Sequence, residues 1–586
     1  MSGELVAQPV YRSHGTRLAL ADRFRLAIAK SHARRMLSRM LRATENIREK
    51  QTETLLEKVR RNASSEYGRA HGFDSIRSEA DFRKQIPVTS YEDLQPYIDK
   101  VKAGDLGAMF GPGQTVHMFA KTSGTCDSPK YIPVTDHFLA EYRRGWNAFG
   151  VKVLMDHPGC FLRPIVQVSS RMDEEYTSGG FPCGAISGLM AATQKRLVRR
   201  YYVVPSEIAY VADAMARYYS VLRFSVTTNA AFVVTASPAT QLRLAKVGDE
   251  NAPCLIRDVH DGTIAKEFEI PSDVRRKLER RLTPDPKAAS RLESILNSTG
   301  RLLPKHYWNL GFLANWTGGT MGLYLRDFPE YFGDVPVRDI GLLASEGRMS
   351  IPIEDGSPSG ILDVADNYFE FIPKDEYGTN QPTVLGASEL EAGQEYFILL
   401  TTSAGFYRYD IGDLVRVTGF HREAPLIEFL HKGQHTCSLT GEKLSEKQVV
   451  MAFEDVADRF GYEGRNFVLA PKWEPLPHYL LHLESDHGLV PARAKVLADA
   501  LDERLCAINI EYKSKRSSGR LGSVQVNLLP HRWLAEYDRV LSRRNRPANE
   551  QFKHRFLFSE LDADAEFPRN DAGSMPASIT NRRLAT

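Results

Sequence analysis

Apolar positions change their spacing along this chain, and the changes mark where one kind of structure gives way to another. From Arg17 to about Arg61, Leu18, Phe24, Ile28, Leu37 and Leu41 recur near the helical repeat among Arg23, Arg25, Lys30, Arg34, Arg35, Arg39 and Arg42. This predicts a long helix packed on the main body with a solvated basic face. Short apolar runs then alternate with helical patterns as far as residue 428. Val151 to Leu154, Phe161 to Val168, Phe224 to Thr235, Leu310 to Trp316 and Ile340 to Ala344 have the character of buried strands. Tyr396 to Thr401 and Asp413 to Phe420 carry stronger alternation or more β-branched residues. Glu207 to Tyr219 and Ser272 to Leu282 are helical in pattern, and Ser237-Pro238 and Thr283 to Pro286 mark loops. The alternation predicts an α/β domain with mixed β-sheets flanked by helices.

The texture breaks after Phe429. His431-Lys432-Gly433-Gln434 is short, polar and contains glycine, as a hinge would. Beyond it Lys447 to Phe460 and Arg493 to Ala507 are helical, while His478 to Glu484 and Val524 to Leu529 are strand-like. The expected division is a large N-terminal domain at 1–430, a hinge at 431–434 and a smaller α/β domain at 435–561. A polar tail at 562–586 is expected to be disordered.

A chain of 586 residues is long enough to bury more than one core. Its formal net charge of +3 gives no electrostatic case for nucleic acid. Six cysteines without a CxxC pair argue against structural zinc and against a disulfide framework. The N-terminus lacks the regions of a signal peptide, and no apolar run approaches bilayer-spanning length. A cytoplasmic monomer acting on small molecules is expected, with neither nucleic acid nor membrane as partner.

Three separated segments carry candidate chemistry. Thr122, Ser123, Gly124 and Thr125 open a hydroxyl-rich loop that ends at Pro129-Lys130, and such loops hold phosphate oxygens through N–H and O–H groups. Ser345 and Glu346 follow the run Ile340 to Ala344, where ligands gather at the carboxyl edge of open α/β sheets. Glu346 is placed to hold Mg²⁺. In Tyr407-Arg408-Tyr409-Asp410-Ile411-Gly412-Asp413, Gly412 makes a tight turn and Asp413 presents a carboxylate to a ribose. Gly318-Gly319-Thr320 would bring backbone close to the acyl substrate. Each segment alone has a plain alternative: a surface turn, a solvated loop carboxylate, a hairpin, or an Arg408 paired with a structural carboxylate. GxSxG, HExxH, Walker A and GxGxxG patterns are absent, which counts against hydrolase, zinc protease, P-loop and dinucleotide readings.

Together these residues resemble the adenylate-forming superfamily, and more closely the Gretchen Hagen 3 family of acyl-acid amido synthetases. Thr122 to Lys130 is similar to the superfamily's Thr-Ser-Gly-Thr-Thr-Gly-x-Pro-Lys. Phe82 to Ile98, Leu342 to Gly347, Gly405 to Val415, Gly441-Glu442-Lys443 and Gln551-Phe552-Lys553 resemble the family specifically. The likeness runs over about residues 40 to 560. It implies the adenylate-forming fold with a mobile C-terminal domain. It also implies that Ser123, Gly124 and Thr125 bind ATP phosphates, Glu346 binds Mg²⁺, Asp413 binds ribose and Lys553 is the catalytic lysine. Thr122, Lys130, Leu342, Ser345 and Arg408 complete the expected ATP site. Cys126 and Asp127 depart from the loop pattern, Leu342 stands where plant members carry an adenine-stacking tyrosine, and Asp410 replaces a common arginine. The implied activity is ATP-dependent adenylation of a carboxylic acid followed by transfer to an amine, most simply an amino acid. An acyl-CoA or carrier-protein ligase, or a non-catalytic nucleotide-binding protein on the same fold, are the alternatives.

Overall fold

The structure, a computed structural model, describes residues 41–569 apart from 123–129, 195, 434–435, 438, 440–441, 443, 465, 474–475, 486–488, 518–520 and 545–553, together with residues 27, 31, 35, 37 and 38. Helix α1 (Ile47–Arg61) turns Ile47, Gln51, Thr54, Leu55, Lys58 and Val59 inward, the spacing of one helical face. The Gln51 side-chain amide donates to the carbonyls of Val364 and Asn367, pinning the helix across the main core.

Three sheets build the larger part. Strands β1 (Val116–Thr122) and β2 (Lys130–Thr135) pair antiparallel and belong to a four-stranded sheet. Helix α2 (Asp136–Asp156) follows directly, with the Thr135 hydroxyl accepting from the Phe138 N–H at its start. A second sheet is wholly parallel and runs in chain order: β3 (Ile165–Gln167), β4 (Phe232–Val234), β5 (Phe312–Asn315) and β6 (Val337–Asp339). The two-stranded hairpin β7 (Leu343–Ala344) and β8 (Gly347–Arg348) leaves the end of β6. The third sheet has seven strands, with β9 (Glu395–Thr402), β10 (Phe406–His421) and β11 (Ala424–Lys432) adjacent and antiparallel.

The remainder of the chain has its own core, drawn from residues 437–557. Helices α3 (Glu446–Arg459) and α4 (Pro491–Ile508) cover a three-stranded sheet of β12 (Phe467–Lys472), β13 (His478–Glu484) and β14 (Gln525–Leu529). A capping box between Ser445 and Gln448 sets the start of α3, and Pro491 opens α4.

Some sequence expectations differ from this architecture. Val151 to Leu154 is the last turn of α2 rather than a strand, because Phe138, Leu139, Tyr142, Gly145, Ala148, Phe149 and Val153 keep one buried helical face. Periodicity over a long window outweighs the local strand preference of two valines. The runs Phe161 to Val168, Phe224 to Thr235 and Ile340 to Ala344 shrink to Ile165–Gln167, Phe232–Val234 and Leu343–Ala344. Ser237 and Asp285 are not mid-loop residues but the caps of helices whose first residues are Pro238 and Pro286. His431 and Lys432, expected in a hinge, still belong to β11, where they pair with Leu414 and Asp413. The tail is folded at its start, since Asp564 is fully buried; residues 570–586 lie outside the described residues.

Candidate active site

Thr122 and Lys130 are directly paired at the end of the β1–β2 pair where the 123–129 connection departs. The loop holding Ser123, Gly124 and Thr125 therefore starts and finishes at one point, although those three lie outside the described residues. At that point Lys130 Nζ sits 3.3 Å from the Tyr409 hydroxyl oxygen, with the Tyr91 ring 5.3 Å away on its other side.

Tyr91 and Tyr409 reach this place for separate local reasons. Ser90 and Asp93 form a capping box that starts the helix Tyr91–Lys102. Just before it, Thr89 hydrogen-bonds the backbone of Tyr407, Arg408 and Asp410, stitching the chain to a bulge in β10. Arg408 makes the bulge with a φ of 48°, a left-handed conformation that costs an L-residue about 1–2 kcal/mol. Its guanidinium is buried, pairing with Glu370 Oε2 at 2.9 Å and donating to the Ile86 carbonyl at 2.7 Å. Arg408 is thus committed to holding the bulge, and the geometry removes it from the expected ATP contacts.

Glu346 converges on the same point. Ala344 pairs with Gly347 across β7–β8, so Ser345 and Glu346 form the two-residue tip of a hairpin. Sequence reasoning placed them at a strand end; the strand that delivers them is β6, three residues before Leu342. Burial, and next the charge of Glu346, raise the Tyr409 hydroxyl pKa far above the phenol value. Burial likewise pushes Tyr91 up to about 12, with Glu346 among the contributing charges. A cationic Lys130, two protonated phenols and the Glu346 carboxylate therefore face one locus beside the loop.

Asp413 lies four residues beyond Tyr409, past an irregular stretch of β10. Gly412, at φ 71°, kinks β10 there, and its N–H is held by Asp410 Oδ1 at 2.8 Å. Asp410 also accepts from the Tyr377 hydroxyl at 2.8 Å, so the residue that departs from the family pattern has a structural job. Tyr377 stacks on Phe397 at 3.6 Å, and the charge of Asp413 helps to raise its pKa after burial and Asp410. Asp413 itself is buried and faces Lys432 in the register of β10 and β11.

Two further expectations change. Leu342 is 5% exposed and packs in the main core, which leaves little of its surface for a base; Leu343 and Ala344 beside it are only half-buried. Gly318 and Gly319 do approach backbone closely, but what they approach is β11: a Cβ on Gly319 would meet the Leu430 carbonyl and the Phe429 ring at 3.3 Å. Thr320 lies in the short turn Gly319–Met321 that follows. Lys553 lies outside the described residues. Tyr91 and Tyr409 were missed as residues of this locus. The signal for Tyr409 was its place inside the quoted Tyr407–Asp413 segment.

Among the described residues no group of three or more His, Cys, Asp or Glu could hold a metal. A lone carboxylate such as Glu346 fits Mg²⁺, which keeps its waters and takes most other ligands from substrate phosphates. It does not fit an all-protein metal cage.

Comparison with known proteins decides the relationship. The GH3 family N-terminal domain model matches residues 36–337, the central domain model 360–432 and the C-terminal domain model 447–561. The chain belongs to the GH3 family. This GH3 chain is 24% identical over 508 residues to jasmonoyl–L-amino acid synthetase JAR6 of Nicotiana attenuata, covering 82% of its own length and 86% of that protein. It is 24% identical over 526 residues to indole-3-acetic acid-amido synthetase GH3.2 of Arabidopsis thaliana, covering 84% and 94%. The solved structure of AtGH3.15 acyl acid amido synthetase in complex with 2,4-DB superposes with a TM-score of 0.80 at 20% identity, covering 92% of this chain and 97% of that one. The α/β fold of mixed sheets and flanking helices expected from the sequence is the fold this chain shares with that GH3 structure.

Proposed function

We propose that this GH3 protein is an ATP-dependent acyl-acid amido synthetase that conjugates a carboxylic acid to an amino acid. The single observation that carries the reading is the convergence of Lys130, Tyr409 and Glu346 at the mouth of the 123–129 loop, on a chain whose relatives are amido synthetases over more than four-fifths of its length. The acid's carboxylate attacks the α-phosphorus of ATP, giving an acyl-adenylate and pyrophosphate. The amine then attacks the acyl carbon and AMP leaves.

In this reading the loop N–H and hydroxyl groups and Lys130 hold the phosphates, and Asp413 orients the ribose. Glu346 would hold Mg²⁺, whose charge offsets that of the triphosphate. Lys553, from the smaller C-terminal domain at 435–561, stabilises charge developing on the α-phosphate. Rotation of that domain near Gly433 separates adenylation from transfer. Holding both reactants in one site replaces a chance encounter with an oriented reaction. A cytoplasmic monomer is part of the same proposal; among the described residues no helix is long and apolar enough to cross a membrane.

The test is exchange of labelled pyrophosphate into ATP across a panel of aromatic, indole, fatty and dicarboxylic acids. Positive acids are then offered amino acids or coenzyme A. Amide product with AMP release supports the reading; thioester product with no amide rejects the acceptor, and no exchange with any acid rejects the enzyme.

A further inference from the structure

Asp339 is the last residue of β6 and sits opposite Asn315, the last residue of β5. From these neighbouring carboxyl ends depart the Trp316–Gly319 loop and the Gly341–Glu346 segment, where a parallel sheet places its ligands. The Asp339 side chain is 1% exposed and is divided between the two. Oδ2 accepts from the Thr317 N–H at 2.6 Å and from the Thr317 hydroxyl at 2.7 Å, while Oδ1 accepts from the Gly341 N–H at 2.6 Å.

We propose that Asp339 is a positioning residue, a clamp that fixes the Thr317 loop and the Glu346 segment to one carboxylate. The inference rests on the function proposed above, which puts the magnesium-bound nucleotide at the second segment, and adds that the first segment, at the neighbouring carboxyl end, faces the acid. All three partners are donors, so the site calls for a side chain that only accepts; an amide in this place would turn an N–H toward one of them. Burial works against the charge and pushes the carboxyl up to about 6, while Thr317, Gly341 and Arg348 work to keep it ionised. Both held segments have restricted alternatives. Gly341 has a φ of 94°, and a Cβ there would lie 2.3 Å from the Ser350 carbonyl. From the far side Arg348 Nη2 donates to the Ile340 carbonyl at 2.6 Å. The Ile340–Gly341 peptide is therefore gripped on both its carbonyl and its N–H, and the Asp339 carboxylate joins it to the Thr317 loop beside the Ile340 N–H bond to the Asn315 carbonyl at 3.1 Å.

The experiment compares intact wild type with Asp339→Asn and Thr317→Val. Amide hydrogen exchange is followed in peptides covering 315–325 and 340–348, and KM for acid and for ATP is read from pyrophosphate exchange. Losing one buried hydrogen bond to a charged group corresponds to about a tenfold change in binding. Asp339→Asn is expected to speed amide exchange in both segments and to raise both KM values about tenfold. Thr317→Val removes only the hydroxyl bond and is expected to raise the acid KM alone. Asp339→Asn with unchanged KM values and only a lower Tm, or faster amide exchange confined to one segment, overturns the clamp. Should wild type exchange pyrophosphate with no acid, the enzymatic reading fails by itself, and the hydrogen-exchange arm still decides whether Asp339 couples the two segments.

Discussion

The Lys130 ammonium and the Tyr409 hydroxyl, 3.3 Å apart, join the strand that leaves the hydroxyl-rich loop to the strand that carries Asp413. The contact fixes the cation at the loop's foot while leaving its other donors for a ligand. Lys130→Ala is expected to lower kcat/KM for ATP by roughly 10- to 100-fold, the effect of removing a charge-assisted hydrogen bond. Tyr409→Phe keeps the charge and loses only its tether, so a smaller drop is expected. Pyrophosphate exchange measures both. A Lys130→Ala enzyme with wild-type ATP kinetics would falsify the phosphate role.

Asp413→Ala tests the opposite end of the site. Its carboxylate lies past the Gly412 kink, and a ribose hydroxyl bound there would donate to it. The expected result is a rise of about tenfold or more in ATP KM, with little change for 2′,3′-dideoxy-ATP, which has no hydroxyl to lose. Equal KM values for the variant and wild type with ATP itself would remove Asp413 from the ribose.

In the smaller part, the helical patterns at Lys447 to Phe460 and Arg493 to Ala507 and the strand-like runs His478 to Glu484 and Val524 to Leu529 match elements to within two residues, whereas the strand Phe467–Lys472 and the helices Ile510–Ser517 and Trp533–Arg544 were not anticipated. The larger part was legible where alternation is strong, as in β9 and the second half of β10, and poorly so in Tyr407–Asp413, read as a turn but part of β10, and where a buried strand is three residues long. Of the site, Glu346 and Lys130 stood out through motif spacing. Arg408 could not be placed without knowing that Glu370, 38 positions away, sits beneath it. The same holds for Asp564, whose polar surroundings in sequence conceal partners more than 80 positions upstream. Long-range pairings of this kind leave no local periodicity.

Lys553→Ala addresses the step itself. A donor aimed at a developing oxyanion contributes roughly 10²- to 10³-fold to the rate and little to ground-state affinity. The variant is expected to slow single-turnover adenylation by that factor with ATP KM near wild type. Transfer from preformed acyl-adenylate to the amine should change much less. An unaltered adenylation rate would withdraw Lys553 from the chemistry.

The last prediction concerns the start of the C-terminal tail, where Asp564 is fully buried between Lys472 and His482. The Asn527 amide donates to His482 Nδ1 at 3.1 Å, which leaves Nε2 to donate to Asp564 at 2.7 Å, the pattern of a neutral imidazole. Burial lowers the His482 pKa below its ordinary value, despite the opposing pull of Asp564. Burial opposes ionisation of Asp564 too, but the bonds from His482 and Lys472 outweigh it and hold the carboxyl at about 2. For His482 the folded pKa lies below the unfolded one, so its contribution is complete above pH of about 6.5 and is lost as pH falls below that. For Asp564 the contribution is present above about pH 4 and is lost as pH falls toward 2. The His482 contribution to urea stability should therefore be level above neutrality and weaken on acidification through the histidine range, against an opposite contribution from His554, whose pKa Asp538 raises despite burial. His482→Gln should flatten that first decline. Asp564→Ala leaves a buried lysine without its carboxylate and is expected to cost about 3–5 kcal/mol at pH 7.5. Removing residues 562 onward should give a comparable loss. Matching urea midpoints for Asp564→Ala and wild type would mean that the tail merely lies on the sheet, and that Lys472 and His482 find their stability elsewhere.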